Sequence, residues 1–250
     1  MSKKYEELKF TDNFMFCKVM EQYPDICRRV TEVITGRKIR QIVTPASQKS
    51  VEITEGNRGV RFDVYFEDDE DNMYDVEMQT YREEEPLRRA RYYQSMIDLA
   101  SMERGWRFTE LKDSYIIFIG LQDFFDAGLS CYRFERVCPD LPGVNDGAHT
   151  IFVNASGVLD GYDDGYARFL NYLKNLEPSD ELTGEIAAAV EVLRDRSDLR
   201  REYMTFQEII DKEKEISLQE GEARVLHKLS VALNMSEEKL RELIESSSAE

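Results

Sequence analysis

Hydrophobic positions near the N-terminus fall at helical spacing. After Thr11 and Asp12, which can cap a helix start, Phe16, Val19, Met20 and Tyr23 predict a first helix packed on one side. A second helix runs through "CRRVTEVIT" to Gly36, a fitting C-terminal cap, and the chain then reads as extended from Ile39 to Val43. A turn about Asn57 and Gly59 leads into "FDVYFEDDEDNMYDVEMQT", Phe62 to Thr80, where two runs of alternating residues flank an acidic turn. Pro86 opens a long helix that the pattern carries to Gly105. "SYIIFIGL" is apolar at nearly every position, which predicts a strand buried on both faces in the middle of a sheet. "CYRFERVC" and "TIFVNAS" are further short strands, followed by a helix over "YARFLNYLKN".

This order predicts an α/β fold with a central mixed sheet flanked by helices. From about Glu181 the chain is almost free of strand signals and rich in Glu, Lys, Arg, Leu and Ala, with "MSEEKLRELIESSSAE" as a last short helix and frayed tail. The expected division is a core over residues 1–178 and a helical C-terminal appendage over 179–250.

Composition narrows the functional classes. In a chain of 250 residues, 42% hydrophobic and 11% aromatic content is enough to fill a core. A net charge of −17 argues against gripping nucleic acid over the whole surface, though it leaves room for a local basic groove. The four cysteines have no CxxC spacing and there are 2 histidines, which argues against a closed zinc site and for reduced thiols. The start "MSKKYEELKF" lacks the apolar core of a signal peptide, and no run is long enough to span a bilayer, so the expectation is a soluble, cytoplasmic protein with no membrane partner.

The acidic hairpin carries the candidate chemistry. A five-residue turn over Asp68–Asn72 makes the strands symmetric about Glu70 and sets Asp63 opposite Glu77. Strict alternation then puts Phe62, Val64 and Phe66 with Met78, Val76 and Tyr74 on a core face. Asp63, Tyr65, Glu67, Asp75, Glu77 and Gln79 fall on the other. Like charges opposite one another repel unless a cation sits between them, so the outer face is either an ordinary solvated carboxylate surface or a metal site. A calcium-binding EF-hand loop is excluded, because "DDEDN" has no glycine at the turn position.

Taken in order, "FTDNFMFCKVM", "RFDVYF", "YDVEMQ", "PLRRARYYQSM", "YIIFIGLQDFFDAGLSCYRF", "IFVNASG" and "YARFLNYLKN" resemble the recombination-promoting nuclease and transposase branch of the PD-(D/E)XK nuclease superfamily, over most of residues 8–176. The resemblance implies a restriction-endonuclease-like core and a metal-dependent DNA endonuclease. In it Asp63 and Glu77 hold Mg2+ (or Mn2+), with the Met78 carbonyl as a third ligand, and Gln79 stands where the superfamily has lysine. Glutamine can donate and accept hydrogen bonds but carries no charge, so a slower or more metal-dependent enzyme is expected.

Arg88, Arg89 and Arg91 on the following helix either hold DNA phosphates or pair with Glu83, Glu84 and Glu85. Asp12 is either a helix cap or an additional carboxylate. Tyr92 and Tyr93 read as packing residues, and Arg28, Arg29, Arg37, Lys38 and Arg40 as an ordinary solvated face. DNA is the expected partner, with self-association through the C-terminal helices. The alternative is a nuclease-fold DNA-binding or protein-interaction protein in which hydrolysis is weakened, Gln79 being the lesion.

Overall fold

The computed structural model describes residues 3–51, 59–82, 84–102, 104–233, 235, 236 and 238–240. The turn expected at Asn57, the residue Glu83 and most of the C-terminal tail lie outside the described residues. The described chain forms two compact units, Glu6–Arg196, and Met1–Tyr5 with Ser197–Glu250.

The first unit is a mixed six-stranded sheet with helices on both faces, the α/β core that the sequence predicts. Its strands are β1 (Ile42–Val51), β2 (Val60–Asp68), β3 (Met73–Gln79), β4 (Ser114–Gly120), β5 (Cys131–Glu135) and β6 (Ala148–Asn154). They lie in the order β1-β2-β3-β4-β6-β5. β1, β2 and β3 pair antiparallel, β3, β4 and β6 parallel, and β5 antiparallel to β6. All seven residues of β4 are buried, because helices cover both faces and strands flank both edges.

The helices are α1 (Asn13–Gln22), α2 (Pro24–Thr35), α3 (Pro86–Ser101), α4 (Asp164–Asn175), α5 (Glu181–Arg194) and α6 (Ser197–Leu233). Gly36 ends α2 in the left-handed region, φ 74°, where glycine has no Cβ to clash. α3 stops at Ser101, short of the expected Gly105, since Met102 is already extended. α1 and α2 pack on one face of the sheet and α3 on the other. An aromatic ladder crosses four strands, with Arg37 just past α2 over its Tyr115 ring: Phe66 on Tyr74, Tyr74 on Tyr115 and Tyr115 on His149 are stacked with centroids 4.8, 4.8 and 4.5 Å apart. Beneath α3 lie Tyr65, Ile116, Phe118 and Phe152.

α5 opens with a capping box, the Asp180 side chain accepting the Thr183 N–H and the Thr183 hydroxyl taking the N–H of Asp180. It packs on α1, α2 and α4, burying Leu182, Ile186, Val190 and Leu193, so it lies in the same compact unit as the sheet. α6 begins the helical part of the other unit.

Candidate active site

The hairpin has the register that its symmetric turn predicts. Val64 pairs with Val76, Tyr65 with Asp75, Phe66 with Tyr74 and Glu67 with Met73. The turn is tied by Asp68, whose carboxylate accepts from the Asn72 N–H and side-chain amide and from the Tyr74 hydroxyl, each at 2.9 Å.

Beyond the Val64–Val76 pair the backbone ladder gives way to side chains. The Asp63 N–H donates to Glu77 Oε1 over 2.9 Å, and the Met78 N–H donates to Asp63 Oδ2 over 3.3 Å. β2 and β3 therefore part here, and the two carboxylates occupy the gap. Simple alternation fails at this point. Phe62, expected with Val64 and Phe66, instead sits edge-on to Tyr93 of α3 with centroids 5.6 Å apart. Asp63 reaches toward α1, where the Asn13 amide donates to Oδ2, while Glu77 reaches toward α3. Asp63 and Glu77 meet across the gap rather than side by side on one face.

α3 supplies the cation. Arg89 Nη2 donates to Glu77 Oε2 and to the Tyr93 hydroxyl, both over 2.9 Å, and Nη1 donates to Gln79 Oε1 over 3.2 Å. The Gln79 amide completes the circuit by donating to Glu77 Oε2 over 3.3 Å. The Arg89 guanidinium lies 5.0 Å from the Tyr93 ring centroid and 5.2 Å from that of Phe118, in cation–π contact with both.

The carboxylates are far from solvated, which removes the solvated-surface reading of this face. Asp75, Glu77 and Gln79 are 0%, 1% and 5% exposed, and Asp63 is partly buried. Burial pushes the Asp63 carboxyl above its ordinary range, opposed by the Asn13 amide, the Met78 N–H and Arg89. Burial and then the Asp63 charge push Glu77 well above its range, against Arg89 and the Asp63 N–H. Asp75 is raised well above its range by burial and by its neighbours Glu77 and Asp63; no N–H or hydroxyl donor reaches its oxygens, and its protonated form is held by a hydrogen bond to Glu77.

Arg89 thus answers Glu77, Asp75 and Asp63 together, and the Arg61 guanidinium also favours the charged form of Asp63. The paired carboxylates of Asp63 and Glu77 offer the hard oxygen donors that suit a divalent cation. Among the described residues no three His, Cys, Asp or Glu side chains converge to enclose one, so a divalent ion would have Asp63 and Glu77 as its side-chain ligands and water for the rest.

Residues 32–133 match the family model of the PD-(D/E)XK nuclease family transposases, a span that contains the hairpin, α3 and β4. No curated protein and no solved structure matches the chain. The PD-(D/E)XK nuclease-type family and the mixed sheet agree with the resemblance carried by the hairpin and arginine-helix motifs.

The other candidates are placed as follows. Asp12 stands at the N-cap of α1, but its side chain accepts from the Lys9 N–H rather than from the helix. Arg88 is exposed and pairs with Glu85 at 3.2 Å, and Arg91 is exposed. Arg28 pairs with Asp25 and Glu32, Arg29 with Glu181 and Glu185, Lys38 with Glu32 and Arg40 with Asp69, so most of that basic cluster faces acids. Sequence reading missed Asn13, one residue from the acid it singled out, and the polar role of Tyr93. Asn13 had no local signal. For Tyr93 the helical spacing to Arg89 was available, since residues four apart share a helix face.

Proposed function

We propose that the chain is a metal-dependent DNA endonuclease of the recombination-promoting, transposase-like kind, acting in the cytoplasm. The observation that carries this reading is the meeting of Asp63 and Glu77 in the gap between β2 and β3, where Asp63 keeps partial exposure and Glu77 is buried. A divalent cation, magnesium or manganese, would polarise the scissile phosphate and lower the pKa of an attacking water. Asp63 and Glu77 would hold it. Gln79 orients water through an amide that both donates and accepts, without titrating. Arg88 and Arg91, exposed on α3, steer and hold phosphate oxygens of the strand. Free thiols at the buried Cys17, Cys27 and Cys131 support a reducing compartment. Among the described residues no helix is long and apolar enough to cross a membrane. Exposed Met204, Ile209, Ile216 and Val225 along α6 support self-association through that helix.

One observation favours the weaker-enzyme alternative. The Arg89–Glu77 ion pair at 2.9 Å engages an oxygen that a metal would share. Nicking of supercoiled plasmid by highly purified protein, with and without magnesium and beside Asp63→Ala, separates the two. Magnesium-dependent nicking abolished by Asp63→Ala supports the nuclease, and DNA binding without nicking supports the alternative.

A further inference from the structure

Gln79 stands at the position where the resemblance places a lysine, yet its surroundings are not those of a residue missing a charge. Its Oε1 accepts from Arg89 Nη1 and its Nε2 donates to Glu77 Oε2. This orientation is the one that satisfies both neighbours, because the flipped amide would set NH2 against a guanidinium and oxygen against a carboxylate. A lysine here could not accept from Arg89 and would put two cations together. Glutamine is the complement of an arginine already in place.

That arginine is built in. The carbonyl of Glu85, itself in the left-handed region at φ 60°, accepts from the N–H groups of Arg88 and Arg89 and so starts α3 at Pro86 beside the hairpin. The guanidinium plane is then gripped by the Tyr93 and Phe118 rings and by the Tyr93 hydroxyl, and its side chain is 22% exposed beside a Glu77 side chain only 2% exposed. Guanidinium stays charged under all relevant conditions and presents a planar fork of donors, so it can bond Glu77, Gln79 and Tyr93 together where an ammonium has no such fixed plane.

We propose that Arg89 supplies, from α3, the positive charge that Gln79 lacks, as a positioning residue that orients Glu77 and Gln79 for phosphodiester hydrolysis. This rests on the nuclease reading above, and it gives Arg89 a role apart from the phosphate contacts of Arg88 and Arg91. The charge is then portable: a lysine at position 79 should replace it once Arg89 is gone.

The test compares wild type, Arg89→Gln, Arg89→Lys, the double variant Arg89→Gln/Gln79→Lys and Asp63→Ala. Each is measured by plasmid nicking, by calorimetric Mn2+ binding without DNA and by thermal unfolding. Arg89→Gln is expected to lower turnover about 10²-fold, the scale of losing one preorganised donor, while half-saturating plasmid changes less than about threefold. Arg89→Lys keeps more activity than Arg89→Gln. The double variant recovers about tenfold or more over the single one, a change near 1.4 kcal/mol in barrier. Mn2+ binding to Arg89→Gln is no weaker than wild type, because a cation that opposes metal at Glu77 has been removed.

Arg89→Gln nicking within about threefold of wild type overturns the proposal, as does a double variant no faster than the single. So does Mn2+ binding lost together with activity, since the defect would then be loss of the metal rather than of the positive charge. Nicking abolished by Asp63→Ala but unchanged in Arg89→Gln overturns this proposal alone, whereas a wild-type protein that never nicks overturns the nuclease reading as well.

Discussion

The main-chain N–H of Asp63 donates to the side chain of Glu77, over 2.9 Å to Oε1, at the point where the backbone ladder between β2 and β3 ends. A carboxylate has taken the place of a strand partner. The hydrogen bond helps hold the two acids together despite their mutual repulsion, and it ties the shape of the gap to the identity of residue 77.

Removing either acid would remove half of the side-chain ligation proposed for the metal. Asp63→Ala and Glu77→Ala are each expected to lower magnesium-dependent plasmid nicking by about 10³-fold or more, given how much of the reaction a metal supplies. Either variant at wild-type rate would move the activity elsewhere.

Asn13→Ala deletes the amide that holds Asp63 Oδ2 from α1, while the Met78 N–H still donates to that oxygen. Loss of a residue that orients a metal ligand typically costs about 10–100-fold in metal affinity or activity, against about 1 kcal/mol of stability. Asp12→Ala, whose carboxylate bonds the Lys9 N–H, should nick at the wild-type rate. Equal losses in the two would deny Asn13 its role.

Asp75 gives a pH prediction for the metal-free protein. Its folded pKa is raised, so the folded state binds more protons than the unfolded chain once pH passes the unfolded value near 4. Its stabilising contribution is complete below that value and is lost as pH rises through the folded one. Asp75→Asn removes the ionisation. The variant should show a shallower fall of thermal midpoint from pH 5 to pH 8 than wild type, and parallel curves would mean that Asp75 does not titrate abnormally.

α5 decides where the chain can be shortened. Ending it after Arg196 leaves α5 in place, whereas ending it after Pro178 exposes faces now covered by Leu182, Ile186, Val190 and Leu193. Burial of each such side chain contributes about 1.5–3 kcal/mol, a sum comparable with the whole stability of a domain. Cooperative thermal unfolding is expected for the longer piece and its loss for the shorter one.

DNA binding should weaken steeply with salt, because a few arginines act against a net charge of −17. Replacing Arg88 and Arg91 together by Gln should flatten the plot of log affinity against log salt, by about one unit of slope for each phosphate no longer neutralised. An unchanged slope would remove both from the interface.

Much of the frame was legible along the chain. The turn residues Asp68–Asn72 set the hairpin register, Gly36 ended α2, Pro86 began α3, and the unbroken apolar run placed β4 in the middle of the sheet. Each of these is a local property, settled by dihedral preference or by the period of side chains along a few residues. The motif order around Asp63, Glu77 and Gln79 likewise pointed to the family that residues 32–133 match.

The tertiary structure decided the rest. Alternation put Phe62 and Asp63 on the wrong faces because period two holds only while the ladder continues, and this one stops where side chains supply the bonds. Nothing near Asp63 in sequence announces Asn13, 50 residues away. Nothing in "PLRRARYY" says which arginine turns inward; that follows from where α3 lands on Phe118 and Glu77. The docking of α5 depends in the same way on apolar faces of α1, α2 and α4 that sequence spacing cannot bring together. Local pattern sets what each segment is; which donors reach a buried carboxylate is settled when distant segments close over it and every burial has to be satisfied at once.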